Sequence, residues 1–98
     1  MTIEKLLEDG KLTIKVVGRI DSTTAPELEE SMKESIEGVT DLTFDFEGLE
    51  YISSAGLRVL LVGQKTMNTQ GEMRVINANE SVKEIFEVTG FNDILTVE

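Results

Sequence analysis

Glu50-Tyr51-Ile52-Ser53-Ser54-Ala55-Gly56-Leu57-Arg58-Val59-Leu60-Leu61 is the stretch in which the period of apolar residues changes. Before it, Leu42-Thr43-Phe44-Asp45-Phe46 alternates with a spacing of two, the pattern of a strand with one strongly buried face. After the serines, Leu57, Leu60, Leu61 and Gln64 fall at helical spacing. Ser53 and Ser54 are therefore predicted where a strand ends and a helix begins. The first turn of a helix carries unpaired N–H groups and the positive end of the macrodipole, so a hydroxyl or a phosphate is favoured there. The plainest role for either serine is that of an N-cap, accepting a hydrogen bond worth about 1 kcal/mol. Gly56, so early in the helix, costs about 1 kcal/mol against alanine, and its presence predicts close approach by another part of the chain or by a partner.

Working outward, Ile3 to Leu7 and Leu12 to Val17 are apolar runs separated by Glu8-Asp9-Gly10-Lys11, and Asp-Gly between such runs signals an antiparallel hairpin. Gly18-Arg19-Ile20-Asp21 leads out of the second strand. Thr24 is the expected cap of the first helix, with Pro26 in its first turn and Glu27 completing a capping box. Leu28, Met32, Ile36 and Val39 form its buried stripe, its acidic outer face is read as solvated surface, and Gly38 ends it. Asp41 to Phe46 is the third strand, and Glu47-Gly48-Leu49-Glu50 the link into the serines. The second helix is predicted from about Ser54 to Thr69, and Met73-Arg74-Val75-Ile76 as a fourth strand. Ser81-Val82-Lys83-Glu84 offers a capping box for a third helix with Val82, Ile85 and Phe86 inward, stopping at Gly90. Ile94 to Val97 is expected to add a last strand.

This order predicts an α/β fold: a mixed, largely parallel sheet of four to five strands with an antiparallel N-terminal edge strand and about three packed helices. In open sheets of this kind functional loops gather at the carboxyl ends of the strands, which places Asp21 beside Ser53 and Ser54. A chain of 98 residues is read as a single domain, 1–98.

Composition narrows the chemistry. Nineteen acidic residues against nine basic ones, a formal net charge of −10, argue against nucleic acid and against anionic membrane surfaces as partners. The absence of histidine removes the Ser-His-Asp apparatus, and with the absence of cysteine it removes the usual zinc sites; no cofactor, metal or enzymatic activity is expected. No apolar run approaches the roughly 20 residues that span a bilayer. Met1 to Glu8 lacks the features of a signal peptide. The expected location is the cytoplasm.

Gly18-Arg19-Ile20-Asp21 with Ala25, then Leu42 to Phe46 leading to Tyr51-Ile52-Ser53-Ser54-Ala55-Gly56-Leu57, and finally Val88-Thr89-Gly90-Phe91, resemble in order and spacing the STAS domain shared by sulphate transporters and bacterial anti-sigma factor antagonists. Without a membrane segment, the free-standing antagonists are the nearer subfamily. The resemblance implies a protein that binds an anti-sigma factor serine kinase, releases a sigma factor, is switched off by phosphorylation of one serine and is restored by a serine phosphatase. By register that serine is Ser54, which precedes a small residue and glycine. Many relatives carry aspartate where this chain has Ser53, so Ser53 is the adjacent alternative hydroxyl. The implied partner-binding residues are Asp21, Ser22, Thr23, Ser53, Ser54, Gly56 and Leu57. Asp21 is either the acidic residue that attends the phosphosite or a turn aspartate capping local N–H groups. The competing possibilities are a STAS scaffold or transport-accessory protein that is never phosphorylated, and a small nucleotide- or anion-binding domain. Against the last, Tyr51 to Leu57 contains no phosphate-cradling loop with lysine and no dinucleotide fingerprint.

Overall fold

The computed structural model describes residues 1–98. The hairpin forms as Asp-Gly dictates: Asp9 and Gly10 both take positive φ, 52° and 79°, and join β1 (Thr2–Glu8) to β2 (Lys11–Ile20) in antiparallel register. Helix α1 (Ala25–Ser35) returns the chain to β3 (Asp41–Asp45), which pairs parallel with β2. A short β4 (Leu49–Ile52) leads into α2 (Ser54–Asn68); β5 (Glu72–Ile76) pairs parallel with β3 and is followed by α3 (Glu80–Val88) and a 3-10 turn at Phe91–Asp93. The five strands and three helices agree with the mixed, largely parallel sheet expected from the sequence.

One face of this sheet builds the core. Leu12, Ile14 and Val16 of β2, Leu42 and Phe44 of β3, and Met73 and Val75 of β5 are buried, while the residues between them stay partly exposed. Leu28, Met32, Ile36 and Val39 close over them from the α1 segment, as their spacing predicts. Alternation along the strands thus assigns the helices to one side of the sheet. No helix is long and apolar enough to cross a membrane.

Four local expectations are corrected. The link Glu47 to Glu50 contains the start of β4, because β2 runs three residues past Val17 and offers Gly18, Arg19 and Ile20 as a second pairing segment. Gly18, at φ 105°, sits at the register shift that lets β2 pair with β3 below it and β4 above it. Thr24 flanks α1 but its hydroxyl does not cap the helix: it accepts from the Asp21 N–H at 2.8 Å and donates to the Arg19 carbonyl at 3.0 Å. Helix α3 is capped by Asn79, not Ser81, since the Asn79 amide can accept from Val82 N–H (2.8 Å) while donating to the Leu49 carbonyl (3.0 Å). The last strand shrinks to a single bridge between Val97 and Val75, because the 3-10 turn takes up Phe91 to Asp93.

Candidate functional site

Strands β2 and β4 end side by side. Ile20 pairs with Ile52, and the Ser53 N–H continues the ladder by donating to the Ile20 carbonyl at 2.8 Å. Asp21 and Ser53 therefore leave the sheet as neighbours at the carboxyl ends of parallel strands, where the topology rule puts functional loops.

Ser53 is the N-cap of α2. Its φ of −92° and ψ of 177° are extended, and its Oγ accepts from the Gly56 N–H at 3.4 Å. Its carbonyl accepts the first helical bond, from Leu57 N–H at 2.9 Å. The Ser54 and Ala55 amides donate to no group within the chain, as the first turn of a helix requires unless something is placed there. Ser54, the first helical residue, is exposed, and its hydroxyl takes part in no intramolecular hydrogen bond. The two serines are thus divided: Ser53 is half-buried and structural, while Ser54 is free for chemistry.

Gly56 explains why this turn can sit so low. A Cβ on it would lie 2.6 Å from Ile52 Cγ1 and 2.7 Å from Ile20 Cγ2, so α2 begins in direct contact with the ends of β4 and β2. Leu57 is 5% exposed. Both were expected among the partner-binding residues; the structure places them beneath the surface, where they fix the height of Ser53 and Ser54 and have little to offer a visiting molecule.

On the β2 side, Asp21 organises the loop into α1. Its Oδ1 accepts from the Thr23 hydroxyl (2.7 Å), the Thr23 N–H (3.0 Å) and the Thr24 N–H (3.1 Å). The Thr23 hydroxyl, then the two amides, lower its pKa from 3.8 to about 2. The turn-capping role weighed for Asp21 is therefore present in the structure. Ser22 and Thr23 are exposed beside it.

Two features escape sequence reasoning. The Arg19 guanidinium lies 4.6 Å from the centre of the Tyr51 ring, a cation–π contact created only by the parallel pairing of β2 with β4. Arg58 stands exposed one helical turn after Ser54 and enters none of the molecule's ion pairs; its spacing was legible, but not its freedom. A hollow of about 570 Å³, an open depression on α1, is lined by Pro26, Glu29, Glu30, Lys33 and Glu34 and by none of the residues of this site.

A family model described as the STAS domain matches residues 2–98. A protein named as a candidate anti-sigma factor antagonist, BtrV of Bordetella bronchiseptica, is 36% identical over 99 residues, covering 99% of this chain and 84% of its own length. An anti-sigma factor antagonist from Mycobacterium paratuberculosis superposes with a TM-score of 0.89 at 23% identity, covering 98% of this chain and 83% of that one. SpoIIAA, a Bacillus cell fate determinant solved in its phosphorylated form, superposes with a TM-score of 0.77 at 16% identity, covering 99% and 91%. At these identities the two solved structures establish a shared fold.

Proposed function

The chain belongs to the STAS domain family, and from that premise we propose that it is an anti-sigma factor antagonist: it binds an anti-sigma factor serine kinase through the surface formed by Asp21, Ser22, Thr23, Ser53 and Ser54, and phosphorylation of Ser54 ends the association. The observation that carries the proposal is the placement of Ser54, an exposed and unbonded hydroxyl on the first residue of α2, within reach of a visiting active site. Antagonist is also the word in the names of the relatives that match along nearly the full chain. With ATP bound by the kinase, Ser54 Oγ forms a bond to the γ-phosphorus as the bridging P–O bond breaks and ADP leaves, and the hydroxyl proton passes to a base of the kinase and on to solvent. A serine phosphatase returns the hydroxyl by hydrolysis.

The switch follows from charge. A phosphoserine adds about −1.5 to −2 units of charge and three acceptor oxygens. Within the domain, the unpaired amides at the start of α2 and the helix macrodipole accommodate that charge, stabilising it by about 0.3–1 kcal/mol, so nothing need unfold. At an interface the same group must be desolvated against a surface that fitted a neutral hydroxyl. A cost of about 3 kcal/mol there is about a hundredfold in affinity.

The test is a binding titration of the kinase with the parent protein, Ser54→Ala and Ser54→Asp, paired with mass spectrometry after incubation with ATP. Ser54→Ala is expected to bind and resist modification, and Ser54→Asp to bind more weakly. Equal modification of parent and Ser54→Ala reassigns the acceptor to Ser53. Binding without any modification makes the chain a scaffold of the same fold.

A further inference from the structure

We infer that Arg58 is the counter-ion of phosphorylated Ser54, pairing with the phosphate across one turn of α2 and holding it on the domain's own surface. The inference rests on the proposal that Ser54 is the modified residue, and it adds the regulatory partner of that group within the chain.

Three observations carry it. Ser54 and Arg58 are four residues apart on the same helix and both are exposed. Side chains of a helix lean toward its N-terminus, so the arm of Arg58 is directed at the turn that bears Ser54. An anion four residues N-terminal to a cation is also the better of the two orders for such pairs. The five ion pairs of the molecule use Lys5, Lys33 and Arg74 only, so the Arg58 guanidinium, like the remaining unpaired cations, is not engaged by a carboxylate, and it is the one of them that stands a single helical turn from Ser54. Finally, the other arginine near the serines, Arg19, is already stacked on Tyr51. A planar guanidinium also suits a phosphate better than an ammonium does, because it offers two parallel N–H groups to two oxygens.

The consequence is measurable on the phosphate itself. A cation in contact favours the dianion and lowers the second pKa of the phosphoserine from its ordinary value of about 6. Scaled from exposed helix pairs, loss of Arg58 is expected to raise that pKa by about 0.3 unit, about a twofold change in the acid dissociation constant.

The experiment installs phosphoserine at position 54 during synthesis, so that no kinase is needed, and follows the phosphorus resonance as a function of pH at low salt. It compares the otherwise unchanged chain with Arg58→Ala and Arg58→Lys. Alanine is a strong helix former and Arg58 is exposed, so circular dichroism is expected to be unchanged. The expected result is an upward displacement in Arg58→Ala, an intermediate value in Arg58→Lys, and convergence of all three at 1 M salt, where the Debye length is about 3 Å. Superimposable low-salt titrations of the otherwise unchanged phosphorylated chain and its Arg58→Ala variant overturn the inference. The parent proposal fails by a different observation, the absence of modification at Ser54 after exposure to the kinase, and the two failures are therefore separable.

Discussion

Replacing Gly56 with alanine sets two physical effects against each other on a single atom. In a helix interior alanine is favoured over glycine by about 1 kcal/mol. The added Cβ, however, would stand 2.6 Å from Ile52 Cγ1, 2.7 Å from Ile20 Cγ2 and 3.2 Å from Ile20 Cβ. Neither neighbour can yield cheaply: Ile20 is 0% and Ile52 1% exposed, they pair across β2 and β4, and β-branched side chains have little rotamer freedom. Overpacking a close-fitted site costs about 1–3 kcal/mol, and two simultaneous contacts on fixed groups put this one at the upper end. The net expectation for Gly56→Ala is a loss of about 1–2 kcal/mol. Gly63, two turns on in the same helix, is the control. A Cβ there meets Met32 Sδ at 2.9 Å and Met73 Sδ at 3.4 Å, both on flexible thioether side chains. Gly63→Ala is accordingly expected to be neutral or stabilising by up to about 1 kcal/mol. Urea unfolding followed by circular dichroism reads both as midpoint shifts at constant slope, and for a chain of this size about 1 kcal/mol corresponds to about 4–8 °C in Tm. A Gly56→Ala protein as stable as the parent, or the same sign for both variants, would refute the argument that α2 is seated by direct contact at Gly56.

Other outcomes follow from individual side chains. The Asp21 carboxyl is held at about 2 in the folded chain, below its ordinary 3.8, so the stability it contributes is fully present above about pH 4 and is lost as pH falls toward 2. Asp21→Asn is expected to flatten that part of the stability profile relative to the parent, and carbon NMR of the Asp21 carboxyl should give the low titration midpoint directly. Asn79→Ala removes both the cap on Val82 N–H and the bond to the Leu49 carbonyl, an expected loss of about 2 kcal/mol in urea unfolding. Ser53→Ala should cost about 0.5–1 kcal/mol, because its capping bond is long at 3.4 Å, whereas Ser54→Ala should change stability by no more than about 0.5 kcal/mol. The reverse order of these two serine variants would contradict the division of roles between them.

How much of this was legible depends on the range of the interaction. The hairpin at Asp9-Gly10, the buried stripe of α1 and the strand-to-helix change at Ser53-Ser54 are local patterns, and the structure agrees with them. Strand β4 was not legible, since only four residues form it and its partner is the end of β2 beyond the bulge at Gly18. The caps misled for the same reason. Thr24-x-x-Glu27 has the spacing of a capping box, but the Asp21 N–H and the Arg19 carbonyl claim the Thr24 hydroxyl. Asn79 outcompetes Ser81 because it satisfies β4 as well as its own helix. At the site, Gly56 announced a close approach without saying to what. Leu57 stood among the partner-binding residues that the family resemblance implied, while its helical spacing with Leu60 and Leu61 was that of an inward apolar position, and it is buried.

Under the proposal that Ser54 is modified, the division between the serines also accounts for how the modification is both accommodated and disruptive. Ser53 commits its backbone to Ile20 and Leu57 and its hydroxyl to Gly56, so it anchors the turn to the sheet. Ser54 commits no side-chain bond to the fold, and its own amide and that of Ala55 are unclaimed. A charge added at Ser54 therefore meets donors on the near side and breaks no existing bond. On the proposed reading the same charge faces any partner seated across Asp21 to Thr23 and the start of α2, where it must be desolvated against a surface that fitted a neutral hydroxyl. On that reading the fold tolerates the phosphate where the interface does not, because the compensating groups, the unpaired amides of the first turn and Arg58 one turn on, belong to α2 itself and not to the partner.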